Sequence, residues 1–355
     1  MGLARGIFQV DAHVHAVRIA MRFKERGEKP KYEGVFGGMT GRDTQAVTYD
    51  NSERLLYHME RYGVDMCVIM ALGGDTETLV NIVKKYPDKF VAKIGGPAKL
   101  LRKIRAREAE WTIEAACAEL DDWLSTGLFR GGIGEGMPGN PFPPENMTWR
   151  QRYLEICQIM EVARKHKVPV SWHTPLGQLS GYAGVDRAYG GMPHFDDPLL
   201  VHEIATSFPD VPIIMSHGGM QGWWSEMYME PTLNVAAGHD NVYLETGLWW
   251  AELYQQPLRD PNIGVEKLIW GTDWGASIPQ QWQPGLYPET YANQSRRDGI
   301  PTHQIDVFAW SLRQLDKLDI PQDDLNLILG GNAVKIFHLE DKIPHKRLFK
   351  EYLRP

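Results

Sequence analysis

Short apolar runs recur along the chain, each ending in polar residues and followed by a segment of helical period. Eight stand out: residues 7–11, 64–70, 90–95, 128–133, 168–173, 211–217, 242–246 and 267–272. Most are rich in Val, Ile and Phe, and several are almost wholly apolar, as strands buried on both faces are. Helical patterns fill 52–62, 77–85, 114–126, 149–166 and 198–208. Ser52 reads as a cap at the start of the first. Gly63, Pro87, Gly127 and Pro209 stop four of them.

Strand and helix alternating eight times predict an α/β fold, a (β/α)8 barrel of parallel strands. The chain has 355 residues, more than the roughly 250 of a typical barrel. The excess falls at 16–51, 134–148, 177–197 and 275–303. Each stretch follows a strand, so the expected barrel is distorted, with long loops forming lids and pocket walls at the C-terminal face of the strands. One domain is expected over 1–340. The tail, 341–355, reads as a frayed end or an arm packed on a neighbouring subunit.

Composition narrows the classes. With 43% apolar residues a substantial core is expected. A net charge of −7 with no long basic stretch excludes a nucleic-acid surface. No segment is long and apolar enough to span a bilayer, no signal peptide is visible, and Gly6 breaks the myristoylation pattern that Met1-Gly2 would open. A cytoplasmic location without membrane partners is the expectation. Cys67, Cys117 and Cys157 are far apart and read as small core residues in a reducing compartment. Trp172, Trp249, Trp250, Trp270 and Trp274 cluster near the ends of runs, which suggests a flat, aromatic-lined pocket. Trp249 and Trp274 are the candidate substrate contacts.

The first run leads into Asp11-Ala12-His13-Val14-His15. Two histidines at i and i+2 share one face of a strand and reach one metal ion. Alone this signal is weak. His173 and His217 end the fifth and sixth runs, however, and Asp273 follows the eighth. In a parallel barrel all five residues converge on one rim. A thiolate-free set with an open position suits one catalytic divalent ion, Zn2+ first and Mn2+ or Fe2+ next. Not all five need bind it. His217, followed by two glycines, is the candidate acid or base; Asp273 could bind the ion or hold a water on it. Asp11 reads as a further ligand, a partner of a ligand, or a polar residue at the barrel mouth.

These motifs resemble the amidohydrolase superfamily, and within it the amidohydrolase-related branch that includes aminocarboxymuconate semialdehyde decarboxylase. The resemblance rests on Asp11–His15, Ser216-His217-Gly218-Gly219, Gly271-Thr272-Asp273-Trp274, Gly330-Gly331-Asn332-Ala333 and the lead Tyr86-Pro87-Asp88-Lys89-Phe90. It implies that His13, His15, His173 and Asp273 hold the metal and that His217 handles the proton. Many binuclear members carry a carboxylated Lys at the end of the fourth strand. This chain has Glu135 there and no Lys, which argues for one ion, while a bridging role for Glu135 stays open. Homodimers are frequent in the branch. Several of its aromatic-acid decarboxylases open with Glu-x-His, so their substrates do not carry over to Asp-x-His-x-His.

Two activities follow as expectations. The first is non-oxidative decarboxylation of an aromatic or unsaturated carboxylic acid, with a cation for the carboxylate from Arg42, Arg54 or Arg187, each of which also reads as a solvated surface residue. The alternative is hydrolysis of an amide, a lactone or an activated C–C bond. Either acts on a small molecule. A binding protein on a barrel scaffold would need a missing ligand, and none is missing.

Overall fold

The computed structural model describes residues 7–23, 44–72, 75–135, 139–140, 144, 146–174, 197–220, 228–247, 249–274 and 306–344. Two four-stranded sheets carry the fold. In one, the order is β2 (Thr44–Asp50), β1 (Val10–Phe23), β3 (Met66–Leu72) and β4 (Phe90–Ala92). In the other, β5 (Val170–His173), β6 (Ile213–Ser216), β7 (Val242–Glu245) and β8 (Leu268–Ile269) follow in sequence. All pairings are parallel except that of β1 with β2.

Main-chain contacts join the two sheets into the barrel. At one seam Ile133 bridges Ile94 on one side and Val170 on the other. At the other seam Val14 bridges Trp274. There the Ala12 N–H donates to the Trp270 carbonyl at 3.0 Å, Asp273 to His13 at 2.9 Å and His15 to Trp274 at 2.7 Å. The fourth run therefore supplies one bridging residue rather than the strand expected over 128–133. Glycine is the reason. Gly132 and Gly134 have φ of +80° and +118°, and a Cβ on either would meet the Pro169 or Ser171 carbonyl oxygen at 1.9 or 2.3 Å.

The first strand departs from expectation in the other direction. β1 does not stop at Asp11; it runs on through His13 and His15 and pairs with β2 from Val17–Asp50 to Phe23–Thr44. Its register against β3 shifts on either side of Val14. Part of the 16–51 excursion is thus a hairpin extending the sheet beyond the barrel. The 177–197 loop lies outside the described residues save for Asp197, and the whole of 275–303 lies outside them. So do residues 136–138, 141–143 and 145 of the 134–148 loop and residues 345–355 of the tail.

Strand parity separates two cores. Val10, Ala12, Val68, Val91, Ile214 and Ile269 meet in one cluster, although they come from strands of both sheets. Only the barrel interior brings them together. Ala333, Val334 and Phe337 join them and close the N-terminal end, where Gly330 packs against the Phe8 carbonyl. The alternate residues, among them Cys67, Ile69, Phe90, Val170 and Met215, face outward onto a ring of helices. These include α1 (Ser52–Tyr62), α2 (Thr76–Lys85), α3 (Ala98–Arg105), α4 (Ile113–Leu124), α5 (Trp149–His166), α6 (Val201–Ser207) and α7 (Met229–Gly238). Each buried Leu or Ile on that surface contributes about 1.5–3 kcal/mol. Two helices begin one residue before the expected starts at 77 and 114, because Asp75 and Thr112 cap them and leave Glu77 and Glu114 in the first turn. A capping box of Thr148 and Gln151 opens α5.

Candidate metal centre

His13, His15, His173, His217 and Asp273 all meet at the C-terminal end of the barrel, and all are buried. His13 and His15 come from β1, His173 ends β5, His217 follows β6, and Asp273 follows β8. Their donor atoms crowd around one another. His13 Nε2 is 3.2 Å from His15 Nε2 and 3.6 Å from Asp273 Oδ1; His15 Nε2 is 3.2 Å from Asp273 Oδ1. Ligands at 2.0–2.1 Å from a tetrahedral ion are about 3.3 Å from each other, so these separations match the edges of such a site. Among the described residues, both ring nitrogens of His217 and Nδ1 of His15 are buried without a hydrogen-bond partner. Buried polar atoms are rarely left so. Donor geometry and unpartnered nitrogens together fit a divalent cation.

Glu135 enters the same cluster. Its carboxylate oxygens lie 2.9 Å from His13 Nε2, 3.4 Å from His15 Nε2, 3.5 Å from His217 Nε2 and 4.0 Å from His173 Nε2. Two three-residue groups able to hold an ion share His13: one with His15 and Asp273, the other with Glu135 and His217. His173 lies beside both through Glu135 and through its ring contact with His217, at 4.9 Å between centroids.

Glu245, at the end of β7, joins the cluster and is not among the candidates the sequence suggests. It is fully buried. One oxygen lies 2.7 Å from His13 Nδ1 and accepts the His217 backbone N–H at 3.0 Å. The other accepts the Gly247 N–H at 2.5 Å. A carboxylate on Nδ1 keeps the proton there and turns the Nε2 lone pair toward the cluster. Gly271 makes room for it, since a Cβ at that position would stand 2.1 Å from Glu245 Oε1. The signal was the one that found the histidines, a polar residue ending an apolar run.

Backbone strain marks the two residues that leave their strands most abruptly. His217 and Asp273 have φ of 62° and 54°, a conformation costly for any residue with a Cβ. Trp249 helps hold the first. Its indole N–H donates to the His217 carbonyl at 2.8 Å, and its ring fills the space a Cβ on Gly218 would need. Thr174 accepts the Gly219 N–H at 3.1 Å and donates to the Ser216 carbonyl at 2.6 Å. Asp11 secures the second turn, accepting from Thr272 Oγ1 at 2.6 Å, from the Thr272 N–H at 3.1 Å and from the His13 N–H at 3.0 Å.

The charges follow from burial and proximity. Burial raises the Asp11 carboxyl to about 7 against the pull of Thr272. Burial disfavours a charged ring at His13, but Glu135 and Glu245 outweigh it and hold its pKa well above the usual imidazole range. Burial likewise opposes charge on Glu135, and His13 and His173 overcome it, so that carboxylate stays ionised. Burial lowers His173 to about 4, which keeps that ring neutral. Carboxylates that draw a proton to His13 would draw a cation to the same place.

The remaining candidates are placed as follows. Trp249 packs edge-on against Tyr254, and Trp274 lies 5.9 Å from the His58 ring; both are buried. Arg54 is exposed on α1. Arg42 and Arg187 lie outside the described residues. No described helix is long and apolar enough to cross a membrane.

Solved structures similar in fold include a probable 2-pyrone-4,6-dicarboxylic acid hydrolase from Acinetobacter baumannii, with 12% identity and a TM-score of 0.53 over 93% of this chain and 99% of that one. A 5-carboxyvanillate decarboxylase from Novosphingobium aromaticivorans, solved with manganese, has 15% identity and a TM-score of 0.48 over 81% and 80%. An uncharacterised TIM-barrel protein from Bordetella bronchiseptica has 18% identity and a TM-score of 0.48 over 81% and 82%. Curated protein sequences give no match. The amidohydrolase family model matches residues 10–339, nearly the whole barrel with every residue of the candidate cluster inside it, and the chain belongs to the amidohydrolase family.

Proposed function

We propose that the protein is a metal-dependent, non-oxidative decarboxylase of an aromatic or unsaturated carboxylic acid. His13, His15, His173 and Asp273 would hold one divalent ion, Zn2+ first, with Mn2+ or Fe2+ as alternatives. A bound ion would supply Lewis acidity toward the polar groups of the substrate. The observation that carries the reading is His217: a buried imidazole beside the ligand set, with neither ring nitrogen engaged by a hydrogen bond. Loss of CO2 breaks a C–C bond and leaves the electron pair on carbon. His217 delivers a proton to that carbon. Glu245 and Trp249 hold its backbone while it does so. Water is kept from the reacting carbon by the burial of the whole cluster.

Glu135 favours a second reading, hydrolysis of an amide, a lactone or an activated C–C bond. A carboxylate within 4.0 Å of four histidines is suited to lie between two ions, the arrangement that activates water in many hydrolases. Metal per chain, CO2 release and the fate of labelled water separate the two. One ion per chain with CO2 evolved from an unsaturated acid supports the first. Two ions per chain and oxygen from water in the product would replace it with the second.

A further inference from the structure

Lys93 belongs to none of the groups described so far. It follows β4 directly, and its N–H donates to the Ile69 carbonyl at 2.9 Å, continuing the ladder one residue further. Val91, two residues earlier, lies in the interior cluster of the barrel. Side chains two apart on a strand share a face, so Lys93 points inward, one layer above Val91 and toward the metal cluster. Its charge is felt by Glu135, Glu245 and Asp11. Those three come from different sides of the ring, and the interior is where one side chain can approach all of them.

Lys93 is 1% exposed. Among the described residues, neither a hydrogen bond nor an ion pair engages its Nζ. The other buried cations are committed elsewhere: Lys267 caps α7 through the Ala236 and His239 carbonyls, and Arg152 binds the Asn140 carbonyl. Taking an ammonium out of water costs several kcal/mol unless it is paired and hydrogen-bonded. Nearby carboxylates offset part of that cost by their field, but none of them bonds to it. Burial lowers this amine to about 8, which leaves it mostly charged at neutral pH. A charged, inward-facing group with three donors and no acceptor is a site for an anion.

We propose that Lys93 is the anion-binding group of the barrel, its ammonium receiving a carboxylate of the ligand beside the metal cluster. The proposal rests on the reading of a carboxylic-acid ligand above and not on which bond of that ligand breaks. It also gives the substrate the cation that Arg54, exposed on α1, does not bring into the barrel.

Isothermal titration of the manganese-loaded full chain with benzoate and with neutral benzamide, which has nearly the same shape, tests it. Lys93→Met and, should that variant not fold, Lys93→Gln remove the charge; Lys93→Arg retains it. The expected result is benzoate binding weakened about 10- to 100-fold in the neutral variants, the range for one charge-assisted hydrogen bond. Benzamide binding and bound manganese should be unchanged, and Lys93→Arg should recover part of the loss. Equal benzoate binding in wild type and neutral variants overturns the proposal. So does loss of manganese on neutralising Lys93, or failure of the wild type to take benzoate. If benzoate binding depends on Lys93 but no unsaturated acid loses CO2, decarboxylation fails and Lys93 keeps its role.

Discussion

The two ends of the barrel are built by opposite rules. At the N-terminal end polar groups are paired. The side-chain amide of Asn332 donates to the Val265 and Leu268 carbonyls at 2.7 and 2.8 Å, and Arg130 holds Asp341 and the His338 carbonyl. Between them lies an apolar plug of Ala333, Val334 and Phe337. At the C-terminal end imidazole nitrogens are left without hydrogen bonds, two residues sit at positive φ, and an ammonium stands inside the barrel. One end is arranged to close the fold. The other leaves some imidazole nitrogens buried without a hydrogen bond, while Asp11, Glu245 and Thr174 around them are fully engaged.

Breaking the catalytic end should cost activity, and breaking the closed end should cost stability. The largest effect is expected at His13, which belongs to both ion-holding groups. His13→Ala should lose nearly all bound metal and nearly all turnover while melting as a folded protein; elemental analysis beside calorimetry reads both. Next comes His217→Ala. It should retain metal and lose about 10² to 10⁴ in kcat, the usual worth of a positioned acid or base. Metal content and kcat on the same preparation decide the matter, because a metal-free variant would make His217 a ligand. At the opposite end, Gly330→Ala places a Cβ 1.9 Å from the Phe8 carbonyl oxygen. Overpacking of that kind should destabilise the protein by about 1–3 kcal/mol in urea unfolding, with kcat per folded molecule unchanged.

Glu245→Gln sharpens the contrast, since it alters one buried carboxylate at the reactive end without removing a ligand. Metal affinity should fall about 10- to 100-fold, as it does when the partner of a metal-bound imidazole is changed. Competition with a chelator measures it, and unchanged affinity would remove Glu245 from the site. The smallest effect is expected at the rim, where Tyr62 donates to Asp306 at 2.8 Å. Burial opposes charge on Asp306, yet hydrogen bonds from His58 and Tyr62 bring its pKa below the usual value. A carboxylate depressed in the folded state stabilises above its unfolded pKa, about 3.9, and that stability is lost as pH falls through the lower folded value. Tyr62→Phe should therefore cost about 1 kcal/mol at pH 7 and less as acid protonates Asp306. A difference independent of pH would count against the pairing.

Much of this was legible in the sequence. Parallel strands buried on both faces leave continuous apolar runs, so seven of the eight runs yield strands, and α1 and α5 span the stretches their helical period marks, although Asn51 rather than Ser52 is the N-cap of α1 and its side chain makes no cap hydrogen bond. His13, His15, His173, His217 and Asp273 were legible for the same reason: in a parallel barrel, the end of a run is a place on one rim. Other features leave no such trace. A strand that continues past its apolar run, as β1 does into the hairpin with β2, carries no stop signal at His15. The fourth stave is a single bridge because of close approaches at Gly132 and Gly134, and distance is invisible in a list of residues. Glu245 left that trace, a polar residue near the end of the run 242–246, whereas Lys93 interrupts the run 90–95 from within. A carboxylate or an ammonium in such a place marks a site less plainly than histidine, the commonest metal ligand, does.

The seam between the first and last staves has a consequence for synthesis of the protein. Asp11 and Thr272 bond at 2.6 Å across 261 residues of chain, and the same seam sets His13 and His15 against Asp273. Nothing local holds those groups together. A nascent chain on the ribosome therefore displays the histidines long before it can use them, and closing so long a loop is slow. The cluster of His13, His15 and Asp273 is therefore completed only at the end of folding, after the last stave docks, and a chain stalled before Asp273 lacks one of the three groups that meet there.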